Sequence, residues 1–131
     1  MNDCIFCKIV LREIPASIVY EDDTHLAFLD INPVAIGHTL LIPKEHHRWM
    51  SDVPDELLGK TFITAKKIMQ AVQRATTAGY IYVAVEGIEA PHFHVHFIPR
   101  NPDDGLRESW KKTSYKEGEL SKTQDLIARS F

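Results

Sequence analysis

Cysteine is scarce in this chain: only two occur among 131 residues, Cys4 and Cys7 in a C-x-x-C spacing. A secretory signal is also missing, because Met1 to Cys4 carry an acid and no basic segment leads into an apolar one. Without export, the two cysteines are expected to be reduced thiols, metal ligands or a redox pair rather than a structural disulfide. These absences predict a cytoplasmic protein.

Long apolar runs and a basic excess are missing as well. No stretch approaches the roughly 20 apolar residues of a membrane span. Fifteen Lys and Arg against 18 Asp and Glu leave a net charge of −3, which provides no basic field for a nucleic-acid backbone. We therefore expect neither a membrane nor a nucleic-acid polymer as partner. A nucleotide would have to be bound by a few convergent groups.

Hydrophobic and turn-forming residues predict five strands. Runs of aliphatic and β-branched residues, bounded by turn formers or proline, indicate strands at residues 17–20, 25–29, 38–42, 80–86 and 92–98. The first two are separated by the turn Glu21-Asp22-Asp23, and the last two by a loop around Gly87.

One long helix is predicted from about Pro54 to Ala78, with Asp52 as N-cap and Gly79 as C-terminal stop. Residues 4–10 predict one or two helical turns, and a capping box at 121–124 predicts a last short helix. The expectation is a single α+β domain over residues 1–131 with a mostly antiparallel sheet. Its core spans about residues 4–100, followed by a loop-rich tail at 101–131.

Three of the seven histidines stand in the run His92-Phe93-His94-Val95-His96. Side chains of a strand alternate between its faces, so the histidines are expected on one face and the apolar residues on the other. Histidine exchanges protons near neutrality, and its neutral nitrogen can attack phosphorus. Three readings remain at this point: a nucleophilic centre, a metal-binding triad, and chance alignment on a solvated face.

This run resembles the signature of the histidine-triad (HIT) superfamily of nucleotide hydrolases and transferases, in which histidines alternate with hydrophobic residues. The resemblance extends over nearly the whole chain in the same order. It includes the segments Cys4–Ile9, Ala27–Pro33, Gly37–Lys44, His92–Ile98 and the tail around Asp104-Gly105-Leu106 and Trp110. It implies a HIT-like fold and a purine nucleotide as substrate.

The resemblance implies a role for each matching residue. His94 would be the nucleophile that attacks the α-phosphorus, His96 would hold and protonate the leaving group, and His38 would support both. Asp30 would accept hydrogen bonds from the ribose hydroxyls, for which an acceptor-only carboxylate is suited. The apolar slot for the base would be formed by Ile5, Phe6, Ile9, Phe28 and Ile31. Without the resemblance, the same residues have simpler interpretations. Asp30 would cap a turn beside Asn32-Pro33, Phe28 and Ile31 would belong to the core, and His38 would be a buried histidine.

The loop before the histidines departs from the family pattern. Related phosphoramidases carry asparagine, glutamine and a small hydroxyl residue there, whereas this chain reads Glu86-Gly87-Ile88-Glu89-Ala90-Pro91. Backbone donors near Gly87, with His92 or His96, are expected to bind the phosphate. Glu89 would repel a phosphate that it faced, so it is expected either to turn outward or to engage a cationic leaving group.

Some family members hold a structural zinc ion, and the matching positions here are Cys4, Cys7, His46 and His92. Two thiolates and two imidazoles form a sound tetrahedral set. The alternative is two reduced cysteines beside the base slot and a solvated His46. The predicted chemistry at His94 requires no metal.

The predicted function is hydrolysis of the α-phosphate bond of purine nucleoside 5′-phosphate derivatives through a nucleotidylated His94. Within the same class, the alternatives are hydrolysis of dinucleoside polyphosphates and nucleotidyl transfer. A nucleotide- or zinc-binding regulatory module is the alternative from another class. A hydrolase with all three histidines on one metal ion would lack a nearby carboxylate base. The resemblance also implies a homodimer with sheets paired edge to edge.

Overall fold

The computed structural model describes residues 3–104 and 111–131. Its centre is an antiparallel five-stranded sheet with strand order β1-β2-β3-β5-β4. The strands are β1 (Ile18–Glu21), β2 (His25–Leu29), β3 (Thr39–Pro43), β4 (Tyr80–Val85) and β5 (Val95–Arg100). The helices are α1 (Ile5–Val10), α2 (Asp55–Thr76) and α3 (Glu119–Ala128), with a short 3-10 turn at Met50–Asp52. The predicted α+β class is confirmed.

The sheet is covered on both faces, so its three central strands are buried along their whole length. On one face, Leu41, Val95 and Phe97 pack with apolar residues of α2, including Ile68 and Val72. The opposite face forms a second cluster in which α1 covers β2 and β3; its buried members are Cys4, Phe6, Ile9, Leu26, Phe28, Leu40 and Ile42. The two-residue alternation of a strand divides each sequence between these layers.

The histidine run is only partly inside a strand. β5 begins at Val95, where its pairing with Leu41 of β3 starts, so the strand predicted from residue 92 begins three residues too early. Before that point the backbone forms other bonds: the amide of Phe93 donates to the carbonyl of His47 at 2.6 Å. The strand also continues through Pro99, which pairs with Ile81 of β4 beyond the last pairing with β3. Pro99 is tolerated because it lies beyond the end of the pairing with β3, where no neighbouring strand requires a hydrogen bond from its missing backbone N–H.

Three predicted helix boundaries are wrong in detail. Asp52 belongs to the 3-10 turn, and Pro54 occupies the N-cap of α2. That helix ends before Gly79, because Thr77 adopts the left-handed conformation with φ 54°. The capping box at residues 121–124 is not used: α3 starts at Glu119 behind Gly118, whose φ is 78°.

The tail after residue 100 contributes to the core. Helix α3 packs against α2 and β1, and its Ile127 is fully buried in the cluster between the sheet and α2. The predicted core over about residues 4–100 therefore omits α3, which contributes a buried side chain. Among the described helices, none combines the length and apolar character required to cross a bilayer.

Gly37 lies directly before His38 and has a φ of 100°, a conformation that L side chains rarely adopt. A Cβ at this position would lie 2.8 Å from Cγ2 of Thr76 and 3.2 Å from Cγ of Pro99. Backbone conformation and crowding thus both require glycine where the chain enters β3.

We expect Gly37→Ala to lower the free energy of unfolding by about 1–3 kcal/mol, because the left-handed conformation and the contact with Thr76 both oppose a side chain. Urea denaturation measures this change. Gly59→Ala is the matched control: Gly59 lies in α2 with no atom within 4 Å of a new Cβ. That variant is expected to be neutral or stabilised by up to about 1 kcal/mol. Equal free energies of unfolding for the two variants would contradict the conclusion that position 37 requires glycine.

Candidate active site

A cavity of about 340 Å³ opens on the face of the sheet that α1 covers. The base-slot residues predicted from the sequence all line it: Ile5, Phe6, Ile9, Phe28 and Ile31. Asp30, Glu89, His94 and His96 line it as well. The cavity is therefore apolar towards α1 and polar towards the start of β5.

His94 is oriented by the backbone two residues before it. Its Nδ1 lies 2.7 Å from the carbonyl oxygen of His92, and a carbonyl can only accept, so Nδ1 carries the proton. In the neutral ring, Nε2 then holds a lone pair. The ring of Phe6 meets the imidazole edge-on at 5.2 Å between centroids and limits its rotation. His94 thus has a defined tautomer, in which Nε2 is the atom that can act as a nucleophile.

His38 and His96 form a directional hydrogen-bond chain. The amide of Val34 donates to Nδ1 of His38 at 3.0 Å, so a neutral His38 carries its proton on Nε2. That Nε2 lies 2.9 Å from Nδ1 of His96 and donates to it. A neutral His96 must then carry its proton on Nε2. One backbone amide in the loop before β3 therefore determines the tautomer of a cavity residue.

Burial keeps these two imidazoles uncharged. Burial, the larger cause, and neighbouring positive groups together lower the pKa of His38 to about 3 and that of His96 to about 4. Near neutral pH, the pair consequently provides a neutral N–H donor rather than a cation.

Asp30 follows β2 at the edge of the cavity. Its Oδ1 accepts from the amide of Asn32 at 2.9 Å, so the carboxylate does cap the turn as its local sequence suggests. Its Oδ2 lies 3.8 Å from Nε2 of His38. Burial is the largest influence on its pKa and raises it above the ordinary value. The carboxylate combines a turn-capping oxygen with a position in the cavity wall, and its contact with a ribose remains a prediction.

Glu89 does not stand alone. Its two carboxylate oxygens accept from Nζ of Lys112 at 3.0 and 2.9 Å, and the nearby ammonium lowers the pKa of Glu89. Lys112 also lines the cavity. Sequence reasoning missed it, because it is one of two adjacent lysines in a polar tail that carries no motif there.

A second cluster lies on the other side of His92. Nδ1 of His92 is 3.4 Å from Sγ of Cys4, 3.5 Å from Sγ of Cys7 and 3.2 Å from Nδ1 of His46. Sγ of Cys7 and Nδ1 of His46 are 3.2 Å apart, and all four donor atoms lie within 4.8 Å of one another.

The spacing of this cluster fits zinc. Tetrahedral bonds of about 2.3 Å to sulfur and 2.0–2.1 Å to nitrogen place ligand atoms roughly 3.3–3.8 Å apart. Nε2 of His92 lies 2.8 Å from the carbonyl oxygen of Pro43, which leaves the Nδ1 lone pair for the cluster. Without a cation, burial and the neighbouring Cys4 raise the pKa of Cys7 to about 11. Metal binding would therefore release protons.

Comparison with known proteins identifies the family. Residues 11–103, more than half of the chain, match the family of the HIT domain. The chain belongs to the HIT family.

Named HIT relatives cover most of this chain. An uncharacterized HIT-like protein of Borreliella burgdorferi is 42% identical over 96% of this chain and 94% of its own length. The adenosine 5′-monophosphoramidase of Saccharomyces cerevisiae is 39% identical over 96% of this chain and 82% of its own length.

Solved HIT structures have the same fold. A HIT-like protein of Bartonella henselae superposes with a TM-score of 0.88 at 34% identity, covering 100% of this chain and 98% of that one. A zinc-bound histidine triad family protein of Mycobacterium smegmatis superposes with a TM-score of 0.84 at 28% identity, covering 98% and 92%. The predicted HIT-like architecture is confirmed.

The three HIT signature histidines divide between two clusters in this chain. His94 and His96 line the cavity, whereas the imidazole of His92 joins the cysteines and is not among the residues that line it. Gly87 is also absent from the lining; it has φ 84°, and a Cβ there would lie 3.0 Å from the ring of Trp49. The positive φ and the close contact with Trp49 explain why residue 87 is a glycine. Substrate contacts predicted for Gly87 and the His92 side chain thus have no counterpart in the cavity wall.

The tail motif that resembles bacterial HIT proteins falls mostly outside the described part of the chain. Gly105, Leu106 and Trp110 are not described, whereas Asp104 is, and its carboxylate accepts from Nε of Arg100 at 2.9 Å.

Proposed function

We propose that this HIT protein hydrolyses the bond between the α-phosphate of a purine nucleoside 5′-phosphate and its leaving group through a nucleotidylated His94. The observation that carries the proposal is the bond of 2.7 Å between Nδ1 of His94 and the carbonyl of His92. It leaves Nε2 with the lone pair that an in-line attack on phosphorus requires.

The cavity has both apolar and polar lining residues, which suits the base and the phosphate of a nucleotide. The aromatic rings of Phe6 and Phe28 meet edge-to-face at 5.3 Å and form part of an apolar slot for the base. Apolar walls recognise a planar ring mainly by stacking and shape. We assign the ribose hydroxyls to Asp30, which lines the same cavity as the slot residues and His94 and His96.

The reaction proceeds in two displacements. Nε2 of His94 forms a bond to phosphorus while the bond to the leaving amine breaks. The departing nitrogen takes a proton from solvent, and the neutral Nε2–H of His96 donates a hydrogen bond to it. Water then attacks phosphorus, the bond to His94 breaks, and that water gives its proton to solvent. His38 keeps Nδ1 of His96 hydrogen-bonded throughout. The yeast relative, named an adenosine 5′-monophosphoramidase, supports an amine as leaving group.

We expect His94→Ala to abolish hydrolysis of adenosine 5′-phosphoramidate, because the variant lacks the Nε2 lone pair that attacks phosphorus, while AMP still binds in the slot. Turnover assays and calorimetry measure the two effects. Mass spectrometry of quenched wild-type enzyme is expected to find adenylylation on His94. His47→Ala is the control, since that histidine pairs with the exposed Glu45 outside the cavity. Full activity of His94→Ala would contradict the covalent mechanism.

Cys4, Cys7, His46 and His92 are proposed to hold a structural zinc ion. The donor spacing supports this, as does the zinc-bound relative of M. smegmatis. A bound zinc would tie the N-terminus of α1 to His92 and so stabilise the wall of the base slot. None of the proposed steps at His94 passes through it.

Zinc content gives a direct test with two adjacent histidines. We expect about one zinc per chain in the wild type and in His47→Ala, and much less in His46→Ala, because only His46 lies in the cluster. Elemental analysis measures the content. A chelator is expected to lower Tm while kcat persists. Equal zinc content in both variants would exclude these four ligands.

A homodimer paired along β4 is also proposed. β4 ends the sheet, and no further described strand covers its outer edge. Val83 and Val85 on it are 38% and 41% exposed, and an open apolar edge favours pairing with a second copy.

Sedimentation equilibrium is expected to give twice the chain mass for the wild type and the single mass for Val83→Lys, because a charge on the paired edge opposes association. Leu11→Lys changes another exposed apolar residue, outside the sheet, and is expected to stay dimeric. A monomeric wild type would refute the dimer.

A further inference from the structure

The charged groups of the cavity leave the substrate's phosphate with one cationic neighbour. Two carboxylates, Asp30 and Glu89, line the cavity, and burial keeps His96 neutral near pH 7. Among the described lining residues, Lys112 is the single lysine or arginine. Phosphoryl transfer concentrates negative charge on the equatorial oxygens, which needs a positive or donating partner.

Lys112 is held in place from two directions. Both oxygens of Glu89 accept from its Nζ. The amide of the next residue, Thr113, donates to the carbonyl of Pro33 at 2.7 Å, just beyond the turn that carries Asp30. The hydroxyl of Tyr115 accepts from the amide of Gly37 at 3.2 Å. These hydrogen bonds hold residues 112–115 of the tail against the segment between β2 and β3, which begins with Asp30.

The ammonium is close enough for its field to reach the reacting groups. Burial is the largest influence on the pKa of Asp30, His38 and His96, and the Lys112 charge acts on all three: it opposes the raised pKa of Asp30 and adds to the lowering of the pKa of His38 and His96. An ammonium has three N–H donors. Two contacts to Glu89 therefore leave a donor for a phosphate oxygen while the ion pair persists.

We propose that Lys112 binds the phosphate of the nucleotide and that Glu89 is a positioning residue that holds its ammonium at the cavity. This inference rests on the proposed function and adds to it a specificity determinant contributed by the tail. It also accounts for an acid in the loop before the histidines: Glu89 faces a lysine, and the pair brings no net negative charge to the phosphate.

The test compares AMP with adenosine, which shares the base and ribose but lacks the phosphate. Lys112→Met is expected to weaken AMP binding about tenfold, the effect of losing one charge-assisted hydrogen bond. Adenosine affinity should stay within about twofold, because the slot is unchanged. Lys112→Arg should restore most of the AMP affinity. Lys111→Met, whose lysine does not line the cavity, is the matched control and should bind AMP normally.

Calorimetry in low and high salt measures these affinities, and the wild-type preference for AMP over adenosine should shrink as salt screens the charge. Unchanged AMP binding in Lys112→Met, or equal losses for AMP and adenosine, would overturn the inference. A different pair of results would assign another role to Glu89. If Lys112→Met left AMP binding intact while Glu89→Gln lowered kcat/KM for a phosphoramidate with a lysyl amine, Glu89 would bind a cationic leaving group and the inference about Lys112 would be wrong. A wild type that bound neither ligand would refute the proposed function itself.

Discussion

One residue, His92, joins the two halves of the site. Its carbonyl accepts from Nδ1 of His94 at 2.7 Å, and its imidazole lies within 3.5 Å of both cysteine sulfurs. Both contacts require the chain at residues 92–94 to lie outside the ladder of β5, which starts at Val95. A regular strand would point the carbonyl at a neighbouring strand instead. The interruption therefore sets the tautomer of His94 and brings His92 into the cluster with Cys4, Cys7 and His46.

The sheet makes this arrangement rigid. Because α2 covers one face and α1 the other, β3 and β5 are buried along their length. His96 lies in β5, and His38 and His94 each lie one residue before a strand, so the backbone that carries them has little freedom. α1 has only six residues, too few for a stable isolated helix. It is held by its packing on Phe28 and Leu40 and by Cys4, whose Sγ accepts from the amide of Cys7. The slot for the base thus depends on the same short helix that carries the thiols.

Electrostatically, the cavity combines neutral donors with one balanced ion pair. Burial removes the charge from His38 and His96, and a backbone amide at Val34 sets the direction of their hydrogen bond. Among the described lining residues, the acids and bases other than histidine are Asp30 and the pair Glu89–Lys112. Such a cavity positions an anionic substrate through a few directed contacts, in keeping with a chain whose net charge is −3.

Local sequence determined the strand and helix types, the alternation that separates Phe93, Val95 and Phe97 from the cavity, and the resemblance of His94 and Asp30 to HIT residues. These features depend on neighbours within a few positions, where periodicity and turn chemistry act. A cytoplasmic location stays a prediction of the same kind. The family resemblance grouped His92 with Cys4 and Cys7, which local periodicity does not, since Cys4 lies 88 positions away. Only the tertiary structure decided that Gly87 packs on Trp49 and that Lys112 meets Glu89, 23 positions away. No local pattern encodes these contacts, because they arise when separate layers pack on one sheet.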